Sequence, residues 1–247
     1  MLLITFLLVL VAGFLAGQLV NYLADILPRR PVKFTTYCSF CEHPRKGWRY
    51  ILLQRCSNCF RFPDLRHWLV AIVIPLLFLY THYFVNRSLP YMLWALLIVY
   101  LATVFLIDLE HRLVLHSTSL VGFILCGYIG YTQFGIAQVL FGAFTGFAIM
   151  YILYLFGILF VKVINKRREE KVEEVALGFG DVTLATVLGA VSGFTGIISV
   201  LLLGIILGGL ISGVYVIVTM LRKQHKAFTA LPYAPFLILS FMAVFFR

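Results

Sequence analysis

Charge is what this sequence has least of. Asp, Glu, Lys and Arg make up 12% of its 247 residues, about half the share of a soluble globular domain. With 62% of residues hydrophobic and a mean hydropathy of +1.00, a soluble fold of this length has nowhere to hide its apolar surface. Convincing internal repeats and low-complexity linkers are missing too, which excludes a repeat array or a string of tethered domains. The apolar runs also lack strict alternation. Only helices and closed barrels cross a bilayer, and continuous apolar runs mean helices. The expected fold class is an all-α polytopic membrane protein.

What is present is a series of apolar stretches close to the ~20 residues that a helix needs to cross a core of roughly 30 Å. Eight spans are predicted, over residues 2–25, 67–85, 91–107, 118–133, 137–163, 182–191, 196–221 and 232–246. The sixth is short, which predicts a tilted helix or a locally thinned bilayer. The first run lacks a basic n-region and a small-x-small cleavage site and exceeds a usual signal-peptide core, so it reads as a membrane helix. The expected organisation is a first helix over 1–27, a polar cysteine-bearing loop over 28–66, and a membrane domain over 67–247.

The net charge of +10 resembles a nucleic-acid footprint until the cations are placed. Arg29, Arg30, Lys33, Arg45, Lys46, Arg49, Arg55, Arg61 and Arg66 share one loop. Arg112, then Lys162, Lys166, Arg167, Arg168 and Lys171, and then Arg222, Lys223 and Lys226 fill the other loops on the same side, while Arg87 and Arg247 alone face the other way. The positive-inside rule then puts both termini outside and the four basic loops in the cytoplasm. These cations orient the chain against anionic lipid head groups; no nucleic-acid partner is expected. The charge-dense stretch 166–174 reads as a solvated extension of the fifth span, with acids and bases at helical spacing.

Four of the five cysteines form Cys38-Ser-Phe-Cys41 and Cys56-Ser-Asn-Cys59, close to the spacing of zinc ribbons. Two residues between thiolates let both sulfurs of a turn reach one tetrahedral ion at about 2.3 Å, and four thiolates leave no open position, so the metal would be a structural zinc. Disulfides are the alternative, disfavoured in the reducing cytoplasm to which the charge pattern assigns this loop. Cys126 lies in an apolar span and reads as a small packing residue.

Two of the few acids stand at span ends. Asp108 closes one apolar run, and Asp181 opens another within Gly178-Phe179-Gly180-Asp181. A carboxylate at a membrane boundary is costly to desolvate and is a functional candidate by default. Two close carboxylates share a proton, so one can activate water while the other polarises a carbonyl, as in the aspartic proteases. Gly178 and Gly180 allow close backbone approach and room for an extended peptide. The plain alternative is a glycine cap followed by an N-terminal acid that favours the helix dipole.

Read together, these motifs resemble the type IV prepilin peptidases, GxGD-type membrane aspartic proteases. Gly13 to Asn21 followed by Leu27-Pro28-Arg29 is similar to the family's opening span, and Arg61-Phe62-Pro63 to its Arg-Tyr-Pro. Ile107-Asp108 with His111, and Gly178 to Val182 with Leu188-Gly189, resemble the two catalytic aspartate motifs. Leu231-Pro232-Tyr233-Ala234-Pro235 resembles the closing Pro-Phe-x-Pro turn. The resemblance implies an inner-membrane endopeptidase with Asp108 and Asp181 as its dyad. It would cleave, at the cytoplasmic face, prepilin and pseudopilin substrates that carry a basic leader before a hydrophobic helix.

Many members also methylate the new N-terminus with S-adenosylmethionine, and the resemblance leaves that second activity open. Departures are Leu115 and His116 where Pro-Asp is usual, Thr183 where Lys is common, and Arg66 near a usual Glu. The resemblance implies that the last two bear on substrate positioning or methylation. His111 and His116 read as solvated interfacial residues rather than proton relays. Two other classes fit the bare residues: a non-enzymatic scaffold of a pilus or secretion machine, and a proton-coupled transporter. The transporter is weakened by acids at span ends instead of the midplane.

Overall fold

The computed structural model describes residues 2–29, 34–85, 89–165, 177–221 and 232–246. The basic stretches 166–171 and 222–226, together with Arg30, Lys33 and Arg87, lie outside the described residues. The chain divides into two compact units, Met1–Ile107 and Asp108–Arg247. Among the described residues the regular elements are all helical, with one isolated bridge between Tyr37 and Pro44.

The first unit contains α1 (Leu2–Ile26), the single-turn α2 (Gly47–Ile51), α3 (Leu65–Tyr83) and most of α4 (Tyr91–His111). The glycines of α1 explain how it meets α3. A Cβ at Gly13 would stand 2.6 Å from the Pro75 Cα, and one at Gly17 would stand 3.2 Å from the Val70 carbonyl oxygen. Small residues at a crossing let backbones approach where lipid supplies no hydrophobic drive. Below the crossing, Asn21 donates to the His67 carbonyl at 3.2 Å. Asp25, at the end of α1, accepts from the Tyr50 hydroxyl at 2.6 Å, pairs with Arg66 and lies 3.3 Å from His67 Nε2. Burial, then the Asp25 charge, holds the proton firmly on Tyr50. One carboxylate thus ties the cysteine loop to α1 and to the start of α3.

The second unit holds the last turn of α4, α5 (His116–Phe134), α6 (Ile136–Asn165), α7 (Phe179–Leu221) and α8 (Ala234–Phe245). α7 is not one straight rod. Gly193 has φ 69 and ψ −178, outside the helical region. A side chain added at Gly146 of α6 would meet both the Ala185 carbonyl and, at 3.3 Å, Ile197. In an unbroken helix those two residues would stand ~18 Å apart. The chain therefore folds back at Gly193, and α7 is a pair of antiparallel arms. Glycine carries this fold because its positive φ strains any residue with a Cβ.

By length and composition, α1, α3, α4, α6 and α7 can cross a membrane among the described residues. α5 is long enough but less apolar, and α8 has 12 residues, ~18 Å of helix against a core of ~30 Å. With the arms of α7 taken separately, eight apolar helical segments match the eight predicted spans, and the fold is the expected all-α membrane architecture. The short sixth span has a different explanation from tilt. Val182, Ala185, Val187, Leu188 and Val191 are wholly buried, so the first arm is the core of the second unit and is surrounded by protein instead of lipid.

Candidate active site

Asp108 sits in the last turn of α4 and is 5% exposed. That position is unfavourable twice over, since burial opposes its charge and the C-terminal end of a helix carries partial negative charge. Among the described residues its Oδ2 has no hydrogen-bond partner. Two groups offset the cost: the Ala234 backbone N–H at the start of α8, and the positive charge of Arg112 just beyond α4. The end of α4 thus meets the N-terminal, positive end of α8.

Asp181 lies in the first turn of α7 and is 7% exposed. Its Oδ2 accepts from the Gly178 N–H at 3.0 Å, while its own N–H donates to the Gly178 carbonyl at 3.1 Å. This carboxylate reaching back to the start of its helix is one half of a capping box. The capping role foreseen as an alternative is real, but it engages only one oxygen. The charge of Asp108 acts on Asp181, and that of Asp181 acts on Tyr233. Two buried carboxylates therefore lie near enough for one charge to act on the other, where the end of α4 and the starts of α7 and α8 converge.

The two glycines serve differently. A Cβ at Gly180 would stand 2.8 Å from Val114 Cβ, in the turn after α4, so only glycine lets the two turns close on each other. At Gly178 the nearest contact would be an ordinary 3.7 Å to Asp181 Oδ2; what Gly178 supplies is its N–H. His111 and His116 are both exposed. Sequence reasoning missed Arg112, read only as a topological cation, and the Tyr233–Ala234 pair, read as the closing turn. The signal for the pair was the prolines flanking it, which fix a helix start and expose its first N–H groups.

The cysteine loop also converges. The Sγ atoms of Cys38, Cys41, Cys56 and Cys59 lie within 4.8 Å of one another, with Cys38–Cys59 and Cys41–Cys56 each at 3.6 Å. The edge of a tetrahedron of thiolates around an ion at ~2.3 Å is about 3.8 Å, so the four sulfurs fit one metal ion. None is paired in a disulfide. The backbone N–H groups of Cys59 and Asn58 pull the Cys56 thiol down to about 6. Cys59 is drawn down by the Arg61 N–H, yet burial and the other three sulfurs push it up to about 11. Four crowded sulfurs cannot all ionise without a cation to replace their protons.

Residues 95–213 match the type IV leader peptidase family. That stretch contains Asp108, Asp181 and the hairpin that buries the second of them. A prepilin leader peptidase/N-methyltransferase of Legionella pneumophila is 27% identical over 219 residues, covering 85% of this chain and 71% of that protein. An alignment over so much of the chain reaches from the cysteine loop to the second arm of α7. No solved structure matches the chain. Within the leader-peptidase stretch the convergent acids are the ones described above, and the cysteine cluster lies before it.

Proposed function

We propose that this protein is a membrane aspartic endopeptidase that removes the basic leader of type IV prepilin-like proteins, with Asp108 and Asp181 as its dyad. The observation that carries the reading is the pair of buried, electrostatically interacting carboxylates inside the leader-peptidase stretch, one of them with an oxygen unpartnered among the described residues. In the reaction one carboxylate is ionised and takes a proton from water while the other, protonated, polarises the scissile carbonyl. The pair titrates as a unit, so either assignment of base and acid gives the same chemistry. Gly178 holds Asp181 through its N–H, and Gly180 lets the two turns close. The substrate leader enters from the cytoplasmic face, the side to which the positive-inside rule assigns the basic loops.

Two further parts belong to this reading. Cys38, Cys41, Cys56 and Cys59 hold a structural zinc ion that folds the cytoplasmic loop 28–66. The new N-terminus is then methylated with S-adenosylmethionine, by similarity to the Legionella protein's second named activity.

Cleavage of a tagged prepilin by the purified full-length protein in detergent is the test. Asp108→Asn and Asp181→Asn should each insert and purify normally yet lose at least ~10²-fold in cleavage, the scale of general acid–base catalysis. Cleavage by either variant within about tenfold of the parent would remove the dyad assignment. Silent substitutions at both positions would favour a scaffold in which the acids are only caps.

A further inference from the structure

The first unit contains a cavity that neither the dyad nor the cysteine cluster uses. It has a volume of about 500 Å³ and lies between α1 and the cysteine loop, within the ~300–1,000 Å³ of small-molecule sites. Gln18 of α1 lines it and is 3% exposed, and among the described residues neither its amide nitrogen nor its oxygen has a partner. Buried polar groups without partners are rare because each costs free energy, so they point to a ligand or to water. Arg45 is the one charged residue in the described lining. Its guanidinium lies over the Tyr50 ring, with Cζ 5.8 Å from the centroid, and it gives one nitrogen to the Gln54 carbonyl. Its Nε is buried and unpaired among the described residues. Stacking occupies the face of the guanidinium and leaves edge N–H groups for an anion.

The mouth of the cavity narrows the kind of anion. Leu15 and Leu19 line it from α1 and are 54% and 47% exposed. They continue a stripe of exposed apolar residues, Ile4, Leu8 and Val11, at the spacing of one helix face. α1 is long and apolar enough to cross a membrane, and such a stripe belongs in lipid. From Leu15 back to Ile4 is ~16 Å of helix, about one leaflet of a ~30 Å hydrocarbon core. An acyl chain can therefore lie along the stripe while its head group enters beside Gln18 and Arg45. No acid lines the cavity among the described residues, so an ammonium head such as ethanolamine finds no counter-charge there. A glycerol head is uncharged, and its hydroxyls both donate and accept, which suits the nitrogen and the oxygen of the Gln18 amide.

We propose that this cavity holds the head group of an anionic phospholipid of the phosphatidylglycerol kind, with its phosphate on Arg45 and its glycerol on Gln18. The proposal is independent of the peptidase and methylation readings. A lipid seated there joins the cysteine loop to the membrane helix at the level where their own side chains leave a gap.

Native mass spectrometry of the full-length protein in detergent, titrated with dioleoyl phosphatidylglycerol, tests this. One molecule should bind, about tenfold or more tightly than dioleoyl phosphatidylethanolamine. Gln18→Leu and, from α2, Ile51→Trp should each weaken that binding by about tenfold or more, the worth of a buried hydrogen bond or of lost space. Lys46→Gln, which removes an exposed cation outside the described lining, should bind as the parent does. Gln18→Leu should also leave the lipid-free melting temperature unchanged or raised, because it deletes an unpaired buried amide; a fall would mark a structural glutamine and count against the site. Equal affinity for the two lipids, or parent-like binding by both cavity variants, would overturn the proposal and leave lipid bound only around the helices. Weakening by Lys46→Gln as large as in the cavity variants would assign the binding to surface charge instead. Displacement of the lipid by equimolar glycerol 3-phosphate would overturn the lipid assignment in favour of a soluble phosphate ester.

Discussion

Asp108 carries a buried oxygen, Oδ2, with no hydrogen-bond partner among the described residues, and it sits at the helix end least suited to a carboxylate. Asp108→Asn should therefore leave the melting temperature unchanged or raised while leader cleavage is lost. Asp181 differs, since one of its oxygens caps α7. Asp181→Ala should accordingly destabilise the protein more than Asp108→Ala does, by ~1 kcal/mol of lost cap, which differential scanning fluorimetry would register as a lower melting temperature. The glycines divide in the same way. Gly180→Ala must displace Val114 from 2.8 Å, costing ~1–3 kcal/mol of overpacking and separating the two carboxylates, so cleavage should collapse. Gly178→Ala keeps its N–H and meets only an ordinary contact; it should stay within ~0.5 kcal/mol of the parent. Equal loss of cleavage in the two variants would show that both glycines make room for substrate.

At the scale of elements, small residues decide which helices touch. Gly142 and Gly146 of α6 face Ala185, Gly189 and Gly193 of α7, and a Cβ at Gly142 would stand 2.7 Å from the Gly193 carbonyl carbon. Gly189→Val should therefore force α6 off the hairpin and cost ~1–3 kcal/mol or more. Gly209→Val, on the second arm with nothing within 4 Å, should leave the melting temperature unmoved. The cysteine loop is an element of another kind, with four converging sulfurs in place of a large apolar core. Cys41→Ser should lose zinc stoichiometrically by elemental analysis and open the loop to protease between Pro28 and Arg66, because metal binding and folding are one equilibrium in so small a module. Metal should also leave as pH falls, since protons compete for the thiolates. Cleavage should fall less than in the aspartate variants; no zinc in the purified parent would end this reading.

For the molecule as a whole, the dyad stands back from the ends of its neighbours. Tyr154 of α6 packs against Phe179 at the start of α7, with ring centroids 6.1 Å apart. α6 then runs on to Asn165, ~16 Å of further helix. Gly208 of α7 meets Tyr233 at 3.2 Å, and the second arm continues to Leu221, ~20 Å beyond that level. Orientation follows from the cation asymmetry: reporters fused after Gly47 should read as cytoplasmic and those after Phe134 as external. Fusions after Asn86, Arg168 and Lys223, outside the described residues, should read external, cytoplasmic and cytoplasmic. An external signal at Gly47 would invert the orientation and put the dyad on the wrong face.

Composition and pattern alone determined that the chain is helical and membrane-bound, that Cys38, Cys41, Cys56 and Cys59 form one set, and that Asp108 and Asp181 are the acids to watch. Each of these is a local signal: an uninterrupted apolar run, a two-residue gap between thiols, a carboxylate beside glycine. Only the tertiary structure decided that the short sixth span is a buried arm folded back at Gly193, that Arg112 and the Ala234 N–H attend Asp108, and that Gln18 and Arg45 look into a shared cavity. Those facts depend on which residues far apart in sequence come together. One-dimensional periodicity cannot carry that information, because close packing of helices is set by where two small-residue faces happen to meet.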